Sequence, residues 1–163
     1  AVKRAGADFL VICTNTMHKV ADDVEEKVGL PLLHIVDAIG DAVREQGLHR
    51  VGLLGTRFLL EERFYQERLQ DRFAIEVLAP GEEDTDTVHH IIYDELCAGK
   101  IKASSPGVCA DIISRLVDKG AEGIVLGCTE LPLLIQPGDA HAPTFDSARL
   151  HAEAAVNLAL AEG

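Results

Sequence analysis

Three short runs, DFLVIC (8–13), RVGLLGT (50–56) and GIVLGC (123–128), are almost wholly apolar, and segments of helical period lie between them. A strand that is apolar on both faces must be covered on both faces. Strands of that kind joined through helices imply a parallel sheet, because a parallel pair needs a long crossover. Further strands are expected at LLHIV (32–36), IEVLAP (75–80) and APTFD (142–146). Helices are expected over 17–29, closed by Gly29, and over 37–47, with Asp37 as N-cap and Gly47 as stop. The pattern places others over 58–73, 82–99, 107–119 and from Ser147 onward, with a short helix or turn at ELPLLIQ (130–136).

A chain of 163 residues with a 47% hydrophobic composition has enough material for one compact core or two small lobes. Its net charge of −12 argues against nucleic acid as a partner, since phosphate backbones need basic stripes. A small anion still fits if its pocket is locally positive. The longest apolar runs fall short of the roughly 18 residues of a membrane helix. No charged-then-apolar leader opens the sequence, so no membrane role and a cytoplasmic location are the expectations. The opening AVKRAGA reads as the last turns of a helix feeding a strand, as in the middle of a domain.

Ligands of open α/β sheets gather beyond the carboxyl ends of the strands. Cys13, Cys128, Gly55 and Thr56 all fall there. The stretches GADFLVICT (6–14) and GAEGIVLGCT (120–129) also repeat one plan, glycine-alanine-acid, apolar strand, Cys-Thr. The four cysteines contain no C-x-x-C pair and no His cluster at zinc spacing, and a disulfide framework is foreign to a cytosolic chain of this size. Cys97 and Cys109 lie within helices and read as core or boundary residues. A thiol at a strand end that faces a helix N-terminus is expected to have its pKa lowered from about 8.5.

Two such thiols in related positions point to a pair that faces one ligand from opposite sides. Inversion of a carbon centre needs that arrangement, with one sulfur removing a proton while the other returns one. With each sulfur about 3–3.5 Å from the carbon, the pair stands roughly 7 Å apart, too far for a disulfide. No dinucleotide, P-loop or pyridoxal-phosphate signature is visible, so no cofactor and no metal are expected. Thr14, Asn15 and Thr16 fit helix capping and anion contact equally. Thr129 reads the same way, and Glu130 either orients a thiol or begins a helix. Gly55 and Thr56 form a tight turn or bring backbone N–H groups to the ligand. His18 and Cys13 are a possible Cys-His couple with no third orienting group, and His89-His90 read as surface residues.

The motifs ICTNT, VGLLGT, ELCAGKIK, LGCTELPLLI and FDSARLHAEAAV resemble the aspartate/glutamate racemase family, specifically its aspartate racemase branch. The resemblance implies a cofactor-independent isomerase with two pseudo-symmetric α/β lobes, each a mostly parallel sheet flanked by helices, the first incomplete. The lobes would be residues 1–45 with 141–163, and residues 46–140. It assigns Cys13 to the D-face and Cys128 to the L-face of a small acidic amino acid. Thr14, Asn15 and Thr129 would hold the substrate's carboxylate and amino group, and Lys102 its distal carboxylate. Glu130 favours the aspartate branch, because glutamate racemases usually carry His there, and a homodimer is compatible with the family. Two features depart from the pattern. The glycine-rich first strand of the family does not precede Cys13, and ASSPG follows Lys102 where an acidic, Arg-containing segment is usual. Three alternatives remain: a maleate isomerase or hydantoin racemase of the same superfamily, an inactive fragment or ligand-binding module, and a Cys-His hydrolase that needs Cys13 alone.

Overall fold

Parallel pairing organises both sheets of the computed structural model, which describes residues 1–138 and 141–161. Strand β1 (Leu10–Val11) pairs with β2 (Leu32–Leu33), Leu10 opposite Leu32. The larger sheet holds β3 (Arg50–Leu54), β4 (Glu76–Leu78), β5 (Gly123–Leu126) and β6 (Thr144–Asp146) in the order β4-β3-β5-β6. Every neighbouring pair in it is parallel, and Leu54, at the end of β3, stands beside Leu126, at the end of β5. This is an α/β fold of parallel sheets flanked by helices.

Alternation along the strands divides the core between the sheet's two faces. Val51, Leu53, Val125 and Phe145 pack with Ile35, Val36, Ile39 and Val43 of α2 (Ile35–Glu45) and with Tyr65 and Leu69 of α4 (Phe64–Phe73). Leu54, Ile124 and Leu126 pack on the other face with Val88 of α5 (Glu82–His90) and with Ile112, Ile113 and Leu116 of α6 (Ser105–Asp118). β6 bonds to β5, and α7 (Ser147–Ala161) lies along α2. Residues 141–161 therefore touch both segments that the sequence divides between lobes.

Several boundaries differ from the sequence reading. The expected helix over 17–29 is a 3-10 turn, Thr16–Val20, followed by α1 (Ala21–Val28). The expected helix over 58–73 is broken at Glu62 into α3 (Arg57–Glu61) and α4. At 100° per residue, Leu59 and Tyr65 would face different directions on one continuous helix. The break lets both be buried. The cap of α2 is His34, whose Nδ1 accepts from the Val36 N–H at 3.2 Å. Asp37 instead receives Arg68 at 2.6 and 2.8 Å, and Arg72 at 3.0 Å. Beyond α5 the chain widens into a π-helical turn, Ile91–Glu95, that carries the buried carboxylate of Glu95. Among the described residues no helix is long and apolar enough to cross a membrane.

Candidate active site

The parallel neighbours β3 and β5 both continue into glycine at their carboxyl ends. The Gly127 N–H donates to the Leu54 carbonyl at 2.7 Å. A Cβ on Gly127 would stand 2.7 Å from Leu59 Cδ2 and 3.0 Å from the Leu54 oxygen, and one on Gly55 2.9 Å from the same Leu59 carbon. Glycine at both positions lets Leu59 fill the space beneath. Thr56 then caps α3 by accepting from the Leu59 N–H at 3.3 Å. Above this floor opens a cleft of about 670 Å³.

Of the residues singled out from sequence, Thr14, Asn15, Thr16, Thr56, Cys128, Thr129 and Glu130 line that cleft. Cys13 is exposed at the bend after β1 and is not among the lining residues, although Thr14–Thr16 directly after it are. Gly55 is buried in the floor. Lys102 lies outside the lining, with Nζ 3.0 Å from Glu95 Oε1. The other Glu95 oxygen accepts from Ser105 Oγ at 2.6 Å and from the Lys102 N–H at 3.2 Å. The Ser105 hydroxyl first, and then Lys102, hold the Glu95 carboxyl below its ordinary range.

Cys128 departs from the electrostatics expected of it. Its thiol is pushed up to about 12, first by burial and then by its hydrogen bond to the Glu130 carboxylate. Sγ donates to Glu130 Oε2 at 3.0 Å, and Thr129 Oγ1 donates to the same oxygen at 2.7 Å. These bonds, the Cys128 one foremost, lower the Glu130 pKa. The helix that follows is the single 3-10 turn Leu131–Leu133, which has almost no macrodipole to oppose them. The resting pair is thus a thiol beside a carboxylate, a proton donor with its acceptor already in contact. Glu130→Gln removes the charge that disfavours thiolate, so the alkylation profile of Cys128 should shift to lower pH. Iodoacetamide labelling at a series of pH values, with peptide mapping to separate Cys128 from Cys13 and Cys97, measures this. An unmoved profile would assign the raised pKa to burial alone.

A family model described as Asp/Glu/Hydantoin racemase matches residues 1–155. The chain belongs to this family. Its fold superposes on the crystal structure of a Yersinia pestis protein described as a candidate Asp/Glu racemase, with TM-score 0.93 and 48% identity, covering 98% of this chain and 69% of that one. An aspartate racemase homologue from Pyrococcus horikoshii gives TM-score 0.88 and 36% identity over 97% of this chain and 69% of that one. The glutamate racemase of Shewanella oneidensis is 28% identical over 138 residues, 82% of this chain and 47% of the relative. The chain thus spans about half the length of that racemase.

Within this racemase-family fold, the cleft includes residues that sequence reasoning missed. Cys97, read as a filler, is exposed and lines the cleft, as do Met17, Lys19, Phe58, Glu61, Glu62, Ile92 and Tyr93. Phe58 and Tyr93 are 53% and 48% exposed and meet edge to face at 6.3 Å. Behind Thr14 three buried histidines cluster, with the His18 ring 4.6 Å from His34 and 5.4 Å from His151. His18 Nε2 accepts from the Ile35 N–H at 3.2 Å, so its proton is on Nδ1 and is donated to the Thr14 carbonyl at 2.7 Å. His151 Nε2 meets the Leu33 carbonyl at 2.8 Å. The His18 ring is engaged at both nitrogens by backbone, which removes the basis for a Cys-His couple with Cys13. Nothing in the sequence brings these histidines together, because they lie on the turn after β1, ahead of α2 and on α7.

Proposed function

We propose that the chain inverts the α-carbon of an amino acid without a cofactor, by proton transfer between Cys128 and Cys13, with aspartate and glutamate as substrates. The observation that carries this is the Cys128–Glu130 pair at a strand end, in a cleft that it lines together with the Thr14–Thr16 segment that follows Cys13. In one direction Cys128, as thiolate, takes the α-proton of the L-isomer while the Cys13 thiol delivers one to the opposite face. In the other direction the roles exchange. Glu130 receives the Cys128 proton when the thiolate forms, and the ammonium group of the substrate, once beside the sulfur, favours this transfer of the negative charge from carboxylate to thiolate. Thr14, Asn15, Thr16, Thr56 and Thr129 supply polar contacts to the α-carboxylate and amino group. Lys102 reaches a distal carboxylate only by leaving Glu95.

One observation favours a second substrate. Cleft-lining side chains among the described residues include the carboxylates Glu61, Glu62 and Glu130, and Lys19 is bound to Glu62 at 2.9 Å. A neutral cyclic ureide such as a hydantoin meets less repulsion there than a dicarboxylate does. Proton NMR in deuterated water, with both enantiomers of aspartate, of glutamate and of a 5-substituted hydantoin, tests the reading. Loss of the α-proton signal with appearance of the opposite enantiomer is the expected result, and the substrate that exchanges fastest decides between the two. If every substrate stays silent, both with this chain and with a form extended upstream of Ala1, the racemase reading fails and the ligand-binding reading replaces it.

A further inference from the structure

The side chains of Tyr65, Asn15 and Ser147 form one directed chain of hydrogen bonds. The Tyr65 hydroxyl donates to Asn15 Oδ1 at 3.3 Å, Asn15 Nδ2 donates to Ser147 Oγ at 3.0 Å, and Ser147 Oγ donates to the Leu126 carbonyl at 2.7 Å. All three side chains are buried. The direction is fixed from the far end. A carbonyl only accepts, so the Ser147 proton goes to Leu126, and the Ser147 oxygen must accept from the amide nitrogen of Asn15. That leaves the amide oxygen facing the Tyr65 hydroxyl. Asn15 lines the cleft two residues after Cys13, and Leu126 ends β5 two residues before Cys128. The bonds therefore join the two cysteine-bearing segments through Ser147, the first residue of α7, and Tyr65 of α4 anchors the Asn15 amide from its other side.

We propose that Tyr65 and Ser147 are positioning residues, which fix the Asn15 amide and hold the Cys13 and Cys128 segments at the separation that two-thiol inversion requires. This rests on the two-thiol reading given above. Inversion has two halves. A thiolate takes the α-proton and becomes a thiol, and the opposite thiol gives its proton to the carbon and becomes a thiolate, so protons and charge balance. Both sulfurs must stand within about 3–3.5 Å of the same carbon for the two halves to couple. Slack between the segments uncouples them. The first sulfur then removes the proton, exchanges it with solvent and returns a deuteron to the same face. Exchange with retention survives while inversion fails. A network that served stability alone would lower both together.

The test uses the full chain in deuterated water and its Tyr65→Phe and Ser147→Ala variants. Deuterium is measured separately in the remaining and in the inverted enantiomer by chiral separation and mass spectrometry, with thermal unfolding recorded alongside. Inversion is expected to fall on the order of tenfold or more in each variant, and the ratio of retained exchange to inversion to rise severalfold. Ser147→Thr, which keeps the hydroxyl, should restore the wild-type ratio. A fall in both processes at an unchanged ratio overturns the proposal and assigns the network to folding. Tyr65→Phe conserves the ring, so it decides the matter even if Ser147→Ala does not fold. A wild-type chain that exchanges no substrate, either as it stands or extended upstream of Ala1, or a Cys13→Ser variant that inverts at the wild-type rate, instead overturns the two-thiol reading itself.

Discussion

Cys128→Ser is expected to lower inversion on the order of 10²–10⁴-fold, the contribution of a positioned general acid-base group, while the protein stays folded. A serine hydroxyl donates to Glu130 Oε2 as the thiol does at 3.0 Å, so the local hydrogen bonding of the variant survives. What it loses is acidity. The Cys128 thiol already stands at about 12 beside Glu130, and an alcohol in the same place cannot give up its proton at neutral pH. Cys13→Ser should cause a loss of the same order, but on the opposite face. Starting from the L-isomer, Cys128 still removes the α-proton in Cys13→Ser, so solvent exchange with retention persists. Starting from the D-isomer, the same variant exchanges nothing. Chiral analysis of deuterated product from each enantiomer separates these cases. If Cys13→Ser alone were inactive and Cys128→Ser unaffected, single-nucleophile chemistry at Cys13 would replace the two-thiol scheme.

The second large effect is on stability below neutral pH. His18, His34 and His151 all have lowered pKa values, with burial the foremost cause, and His34 is lowered to about 3. For His34 the Arg68 guanidinium adds to burial, and Asp37 opposes it. The sign follows from linkage, since the unfolded chain takes up a proton near pH 6.5 that the native cluster refuses. Stability is fully present above about pH 6.5 and is lost as the pH falls below it, at about 1.4 kcal/mol per pH unit for each refused proton. Protonation of His18 also puts an N–H on Nε2 against the Ile35 N–H, which breaks that contact while the Nδ1–H bond to the Thr14 carbonyl remains. Urea unfolding at pH 7.5 and 5 should show the midpoint falling steeply. His34→Asn, which keeps an acceptor for the Val36 N–H but does not titrate, should make the slope shallower. A midpoint that does not move between these values would show that the native cluster takes up protons as readily as the unfolded chain.

The two central strands of the larger sheet were legible in the sequence because they are apolar on both faces, whereas DFLVIC has the same look and yet leaves Val11 37% exposed. Val51, Leu53 and Leu54, like Ile124, Val125 and Leu126, are buried as that pattern requires. Helix ends were less legible, because they depend on partners distant in sequence. Asp37 looked like a cap, but Arg68 and Arg72 bind it and His34 caps the helix. Much of the cleft's polar wall could be found from Cys-Thr motifs at strand ends. The sequence did not reveal that Glu130 would raise the Cys128 pKa, since this depends on the rotamer that carries the carboxylate back to the thiol. Nor could Lys102's partner be inferred, because Glu95 turns inward only in a π-helical turn that no local propensity marks. The target of the Tyr65 hydroxyl could not be inferred either, since Asn15 lies 50 residues away in sequence.

The glycines at the ends of β3 and β5 limit how the substrate range can be redesigned. At both positions a Cβ would meet Leu59 Cδ2 at under 3 Å, so any side chain there requires the buried Leu59 to move, and at Gly127 it also stands 3.0 Å from the Leu54 oxygen. Met17, Phe58 and Tyr93 are different, because each is about half exposed and lines the cleft. A library meant to admit larger or differently charged substrates should therefore vary those rim positions and hold Gly55, Gly127 and Leu59 constant.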